Sequence, residues 1–131
     1  TNLGIECKIE NQEWAVFQDT RKEGNYDLSR GGWLTDFMDP MGLLSIFTVG
    51  NDYNDPKFEN AEYDALLATA VATRGKEHFD ALYAAQEILM TELPIIPVYH
   101  YSDTMLASEK VIGWDRSVLG SVDFSAADLA E

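Results

Sequence analysis

Cysteine and histidine, the side chains most used in metal and redox sites, are scarce in this chain of 131 residues. The single cysteine, Cys7, cannot form an internal disulfide, and a Cys-based zinc site needs more ligands of this type. Because Cys7 alternates with apolar residues, we expect it to be a buried free thiol. The two histidines do not form the His-Glu-x-x-His pattern of zinc proteases. We expect His78 to be a surface residue, and we expect no metal and no other cofactor.

Positive charge is also scarce. Nine Lys and Arg residues stand against 23 Asp and Glu residues, which gives a formal net charge of −14. Nucleic acids and anionic membranes both require clustered basic residues, so the composition argues against either partner. The chain has no run of about 18 apolar residues, and we therefore expect no transmembrane helix. Residues 1–5 lack the basic and apolar regions of a signal peptide, and we expect the chain to be cut from a longer one.

Catalytic signatures are missing as well. The sequence contains neither a Gly-x-Ser-x-Gly nucleophile elbow nor the glycine-rich loops of nucleotide-binding proteins. Carboxylates are abundant, so a hydrolase that uses a pair of acidic residues stays open as a weak alternative. The sequence favours a binding protein over an enzyme.

The apolar pattern predicts a mixed α/β fold with several helices. One helix is expected from Asn11 to about Lys22, and Asp39-Pro40 is typical of the start of a second, short one. The clearest signal is a helical hairpin, whose first helix is capped by Asn60 and whose second helix ends before Pro94. The residues expected in the core of the hairpin are Leu66, Leu67, Leu82, Tyr83 and Leu89.

Alternating and apolar runs predict strands on both sides of these helices. The predicted strands are residues 3–9, 26–34, 94–101 and 104–107, with a last extended segment at 111–114. A loop with many turn-forming residues lies between them, and we expect Asn54 to shape it by bonding to the backbone. The apolar signal thins after residue 114. We therefore expect one lobe segment over residues 1–114 and a tail over residues 115–131 that is loosely ordered or pairs with a missing neighbour.

The most informative stretch runs from Arg30 to Pro40. Gly31 and Gly32 weaken a strand, but they suit the close approach of another backbone, and Trp33 adds a flat apolar wall. Asp36 stands where the strand gives way to a loop. Its carboxylate can pair with the α-ammonium group of an extended peptide that main-chain hydrogen bonds hold beside the strand. The alternative is a β-bulge with Trp33 in the core and an aspartate that caps the next helix.

Four pieces of the sequence, in this order, resemble the family 5 extracellular solute-binding proteins, which bind oligopeptides, dipeptides or nickel. The pieces are Leu3-Gly4-Ile5 with Glu13-Trp14, then residues 32–40 as Gly-Trp-x-x-Asp-x-x-Asp-Pro, then Asn54 with residues 60–67, and then residues 83–99. A closing turn at residues 111–114 extends the resemblance over about residues 3–114.

The resemblance implies a segment of the C-terminal lobe of a type II periplasmic-binding-protein-like fold. Such proteins are two-lobed clamps that hold an oligopeptide outside the cytoplasmic membrane, in the periplasm or anchored at the cell surface, and deliver it to the permease of an ABC importer. Because the ligand takes contacts from both lobes, we expect this segment alone to bind peptides very weakly. Three alternatives stay open: a nickel chelate, an oligosaccharide or opine-like ligand, and a ligand-sensing domain of a transcription regulator.

The resemblance also implies a set of ligand contacts. The residues concerned are Asp36, Trp33, Gly32, Leu34, Arg30 and His100. Asp36 matches the position that pairs with the amino terminus of the peptide, and the backbone of residues 32–34 matches the strand beside the ligand. Arg30 matches a position that can hold the carboxylate of short peptides. One of the aromatic side chains at 99–101 is expected to line the cleft, whereas strand alternation alone would bury the two tyrosines and expose the histidine.

Overall fold

The computed structural model describes residues 3–130, with helices first along the chain and short strands after them. The helices are α1 (Trp14–Glu23), α2 (Met41–Leu44) with a 3-10 helix (Ser45–Phe47) directly after it, α3 (Ala61–Ala72) and α4 (Gly75–Glu92). The strands are β1 (Val111–Ile112), β2 (Asp115–Arg116), β3 (Val122–Asp123) and β4 (Asp128–Leu129). This content agrees with the predicted mixed fold. None of the helices in residues 3–130 is both long and apolar enough to cross a membrane.

The predicted helical hairpin is present as α3 and α4, which pack against each other. Asn60 caps α3, because its side-chain oxygen accepts a hydrogen bond of 2.9 Å from the Tyr63 amide. The hairpin supplies most of the core together with residues from α2 and its flanks. The buried apolar residues are Leu44, Phe47, Phe58, Tyr63, Leu67, Ala70, Ala81, Leu82, Ala85 and Leu89.

Tyr63 joins the hairpin to the short helix before it. Its side chain is fully buried, and its ring packs edge-on against Phe58 with 5.4 Å between the ring centroids. Its hydroxyl donates a 2.6 Å hydrogen bond to the Leu44 carbonyl at the end of α2. Burial, with a smaller contribution from the neighbouring Asp64 charge, raises the pKa of Tyr63. The hydroxyl is therefore fixed as a neutral donor at ordinary pH.

The loop between the 3-10 helix and α3 is organised by Asn54, as predicted. This buried side chain donates hydrogen bonds to the carbonyls of Thr48 and Phe58, at 3.3 and 2.8 Å, and accepts one of 3.0 Å from the Phe58 amide. The loop also contacts α1, because Arg21 forms a partly buried ion pair with Asp55. These contacts connect α1 to the hairpin without any buried residue in α1 itself.

The start of α1 differs from the prediction. Its N-cap is Glu13 and not Asn11, because the Glu13 carboxylate accepts a 2.9 Å hydrogen bond from the Ala15 amide. The helix ends at Glu23, close to the predicted Lys22, and Gly24 after it takes the left-handed conformation with φ 75° and closes the last turn.

Two side chains predicted to be buried are exposed. Tyr83 is 61% exposed, although Leu82 beside it is buried, because consecutive residues on a helix point about 100° apart. The apolar stripe assigned to α4 was thus too wide. Leu66 is only partly buried, whereas Leu67, Leu82 and Leu89 are in the core as predicted. Cys7 is exposed, so the prediction of a buried thiol was wrong.

The predicted strands at 3–9, 26–34, 94–101 and 104–107 are irregular chain in the structure. A strand needs a partner for its hydrogen bonds, and no segment among residues 3–130 pairs with any of these four. Their apolar side chains are largely exposed, as Ile9 and Val98 illustrate. The alternation is present in the sequence. It indicates that one face of each segment needs an apolar partner, but it does not identify that partner.

The last part of the described chain closes into two short antiparallel ladders. β1 pairs with β4, with Val111 opposite Leu129, and β2 pairs with β3, with Asp115 opposite Asp123. β1 thus lies before residue 114 and its partner after it. The division of the chain at that residue stays a prediction.

Candidate functional site

The bend over residues 35–39 presents Asp36 to solvent. Thr35 Oγ1 donates a 2.9 Å hydrogen bond to the Phe37 carbonyl, and the Asp39 amide donates another of 2.9 Å to the same oxygen. The Asp36 side chain is exposed and forms no hydrogen bond or ion pair with other residues in the described range. The bend is held by its own bonds while this carboxylate stays available to an external cation.

The bend packs closely on α2, and this requires a glycine. A Cβ atom at Gly42 would overlap Thr35 Oγ1 and would lie 3.3 Å from the Phe37 ring. The helix that follows is started by Asp39, whose Oδ1 accepts a 2.8 Å hydrogen bond from the Met41 amide. The predicted role of Asp39-Pro40 as a helix start is therefore confirmed.

Trp33 is anchored at the side of this bend. Its indole N–H donates a 3.0 Å hydrogen bond to the Gly42 carbonyl, and its ring packs edge-on against Tyr53 with 4.7 Å between centroids. The side chain stays about one third exposed. It forms an apolar wall with a fixed orientation, and it is not the core tryptophan of the alternative interpretation.

The structure brings several of the other predicted residues together. Arg30 donates a hydrogen bond to the Tyr101 hydroxyl, and a Cβ atom at Gly32 would lie 3.4 Å from the Tyr101 ring. Tyr99 packs edge-on against Tyr101 at 4.9 Å, and the Tyr101 hydroxyl raises the pKa of Tyr99. Residues 30–32 and 99–101 thus lie side by side although about 70 positions separate them. A guanidinium has five N–H donors, so Arg30 keeps donors for a further acceptor.

Leu34 and His100 are both exposed. The expectation from alternation, that Tyr99 and Tyr101 are buried, is wrong because both are more than half exposed. Which of the three aromatic residues lines a cleft stays a prediction.

A contact that sequence analysis missed connects the bend to the hairpin. His78, near the start of α4, has Nδ1 at 2.7 Å from the Ala70 carbonyl and Nε2 at 2.9 Å from Asp39 Oδ2. The Ala70 carbonyl, followed by Asp39, raises the pKa of His78, and the Met41 amide, followed by His78, lowers the pKa of Asp39. His78 was predicted to be a surface residue, and it is in fact partly buried. No local pattern relates positions 39 and 78.

Two open surface depressions have volumes of about 520 and 340 Å³. Neither is lined by any of the predicted ligand contacts. Within residues 3–130, no group of three His, Cys, Asp or Glu side chains is placed to hold a metal ion. The ligand contacts at Asp36, at Trp33 and around Arg30 stay predictions.

No family model matches the chain. The dipeptide-binding protein DppE of Bacillus subtilis is 37% identical over 128 residues, which are 97% of this chain and 24% of that protein. The periplasmic murein peptide-binding protein MppA of Escherichia coli is 36% identical over 114 residues, 86% of this chain and 21% of that protein.

Solved structures show the same relationship. The unliganded open form of MppA matches with a TM-score of 0.76 at 35% identity, over 86% of this chain and 22% of that one. The oligopeptide-binding protein OppA of Haemophilus influenzae, in complex with the peptide RPPGFSPFR, matches with a TM-score of 0.73 at 33% identity, over 81% of this chain and 21% of that one. The chain thus spans about a quarter of the length of these relatives. The predicted resemblance is confirmed, and the chain belongs to the family of extracellular solute-binding proteins that includes these dipeptide-, murein peptide- and oligopeptide-binding proteins.

Proposed function

We propose that the protein containing this chain is the substrate-binding component of an ABC importer and captures oligopeptides outside the cytoplasmic membrane. Its relatives are binding proteins by name, several of them periplasmic, and one was solved with a peptide bound. We place this protein likewise in the periplasm or at the cell surface, and we assign the membrane permease of the importer as the partner that receives the peptide. The chain itself provides part of one wall of the cleft, in the C-terminal lobe.

The observation that carries the proposal is the exposed carboxylate of Asp36 on a bend that its own hydrogen bonds hold in place. A fixed carboxylate without a partner in the described chain suits a ligand with a free amine. The strongest version of this contact is a charge-assisted hydrogen bond to the α-ammonium group of a peptide. Because the bend is already ordered, the peptide does not have to order it on binding, which favours affinity.

The neighbouring residues complete this assignment. The backbone of Gly32, Trp33 and Leu34 lies in an irregular segment without strand partners among residues 3–130, so its N–H and C=O groups are free to pair with an extended peptide. Arg30 has donors left for the carboxylate of a short peptide. His100 is exposed between two tyrosines and is assigned to the same wall.

The test uses the full-length protein, calorimetry, and one peptide in two forms, with a free and with an acetylated amino terminus. Asp36→Asn should weaken binding of the free peptide roughly ten- to hundredfold, the range for a hydrogen bond to a charged group. Acetylation of the peptide should weaken its binding to the wild type by a similar factor and should hardly change its binding to the variant. The reason is that acetylation and Asp36→Asn remove the same ion pair. Asp19→Asn, which removes an exposed carboxylate from α1, is the matched control and should leave both affinities unchanged.

Two results would count against the assignment. If Asp36→Asn leaves the affinity for the free peptide unchanged, Asp36 is not the anchor. If acetylation weakens the wild type and the variant equally, the amino terminus is bound elsewhere. Failure of the wild type to bind any peptide would favour a ligand of another kind on the same fold.

A further inference from the structure

The hydrogen-bonding of His78 defines its charge. Both ring nitrogens face acceptors: the Ala70 carbonyl lies 2.7 Å from Nδ1, and Asp39 Oδ2 lies 2.9 Å from Nε2. A neutral imidazole carries one N–H, so it can donate to only one of these acceptors. The imidazolium form donates to both. The geometry therefore favours the charged form, in which the second bond is an ion pair with Asp39.

Asp39 is the last residue of the bend that presents Asp36. Its Oδ1 accepts the 2.8 Å bond from the Met41 amide, and its own amide donates to the Phe37 carbonyl at 2.9 Å. Its second carboxylate oxygen is the one that meets His78. One side chain thus connects the bend to the first residues of α2 and to the hairpin. His78 is the contact through which the well-packed hairpin fixes the C-terminal end of the bend.

We infer that His78 is a positioning residue for ligand binding, which in its imidazolium form holds Asp39 and so keeps the bend with Asp36 in its binding geometry. This inference rests on the proposed peptide-binding function. His78 does not touch the ligand in this scheme. Its effect is transmitted through one carboxylate, and it makes peptide affinity depend on pH in the range where imidazole titrates.

The charges around His78 support this direction. The Ala70 carbonyl on α3 and the Asp39 carboxylate on the bend raise the pKa of His78, while Arg74 in the α3–α4 connection and partial burial lower it. The Phe79 ring packs edge-on at 5.0 Å and carries no charge. On α4 itself, Glu77 is exposed, and Asp80 pairs with Lys76. The net effect is a pKa above the ordinary value of about 6.5.

The sign of the pH dependence follows from this shift. A group whose pKa is raised in the folded state stabilises that state fully at pH values below its ordinary pKa. This stabilisation is lost as the pH rises through the raised pKa. The bend should therefore be held most firmly at about pH 6 and less firmly in mildly alkaline solution. The α-ammonium group of the peptide also titrates near pH 8, so the wild type alone cannot separate the two effects.

The experiment compares dissociation constants of the full-length wild type and His78→Gln for one peptide from pH 5.5 to 9. The ratio of the two constants removes the titration of the peptide, which is common to both proteins. We expect the variant to bind roughly three- to thirtyfold more weakly at pH 6, the range for residues that act on a site through a neighbour. The ratio should fall towards one above the raised pKa of His78. Lys76→Gln, two residues before His78 and exposed on α4, should give a ratio near one throughout.

A ratio that stays near one at all pH values would overturn the inference, and so would a reduced affinity with no pH dependence, because that result indicates a purely structural role. NMR titration of the His78 ring provides a readout without ligand: its pKa should lie above 6.5 and should fall in Asp39→Asn. An unshifted His78 in the wild type would also overturn the inference. Absence of peptide binding by the wild type would instead refute the proposed function and the coupling to affinity, while the NMR result still decides whether the contact exists.

Discussion

Removal of one hydroxyl from the core, by Tyr63→Phe, isolates a single buried hydrogen bond. The ring stays against Phe58, so packing is retained, but the buried Leu44 carbonyl loses its 2.6 Å bond. An unsatisfied buried acceptor costs about 1–3 kcal/mol, and we expect the free energy of unfolding to fall by that amount. Tyr63→Ala should cost about 3–5 kcal/mol, because it also removes the ring.

Urea unfolding followed by circular dichroism measures this effect, as a shift of the midpoint with an unchanged slope. Tyr83→Phe is the matched control, since the same atom is removed from an exposed side chain and the change should stay within about 0.5 kcal/mol. If Tyr63→Phe shifts the midpoint no more than Tyr83→Phe does, the hydroxyl does not support the junction between α2 and the hairpin.

The pKa of Tyr63 adds a second, independent check. Burial raises this pKa, so the contribution of the neutral hydroxyl is complete below the ordinary value of about 10 and is lost as the pH rises above it. Phenylalanine does not titrate. The difference in unfolding free energy between wild type and Tyr63→Phe should therefore narrow above about pH 10. A gap that stays constant into alkaline solution would contradict the assignment of a buried, hydrogen-bonded hydroxyl.

Three further tests probe the other junctions by the same unfolding measurement. Asn54→Ala should cost about 2–3 kcal/mol, because it leaves the loop's buried backbone groups without partners; a cost under about 0.5 kcal/mol would refute that role. Gly42→Ala should cost about 1–3 kcal/mol through overlap with Thr35, and Thr35→Ala in the same chain should recover much of the loss. A double-mutant cycle on Arg21 and Asp55, each changed to Ala, should give a coupling of about 1–2 kcal/mol, and additive effects would show that the ion pair does not hold α1.

The helices were predictable because their signals are local. Each signal lies within a few turns of the helix that it specifies. These signals are the Asn60 cap, the Asp39-Pro40 start and the spacing of Leu67, Leu82 and Leu89. β1 lies in the extended segment predicted at 111–114, but the strands predicted over residues 3–9, 26–34, 94–101 and 104–107 are irregular chain. Alternation in those four segments shows only that one face needs an apolar partner. At Ile9 and Val98 that face stays exposed in residues 3–130.

The same distinction holds at the candidate site. The motif over residues 30–40 predicted Asp36 as a ligand contact and Gly31-Gly32 as a place for a close backbone. The tight packing in the structure is instead at Gly42, against Thr35, whereas Gly31 has open space around it. The bond between Asp39 and His78 could not be predicted, since it joins positions 39 residues apart whose types are individually common. The ligand roles themselves stay predictions.

The two short ladders at the end of the described chain are nested, because β2 and β3 both lie within the loop that β1 and β4 close. Forming the inner hairpin shortens the flexible path that the outer pair must close, and this lowers the entropy cost of closure. The coupling is reciprocal, because a coupling free energy acts equally on both pairs. Loosening the turn at Gly120 should therefore weaken the outer pair, which includes the 2.7 Å bond from the Ala130 amide to the Lys110 carbonyl. In terms of local opening, we expect the outer pair, which closes the longer loop, to open before the inner hairpin does.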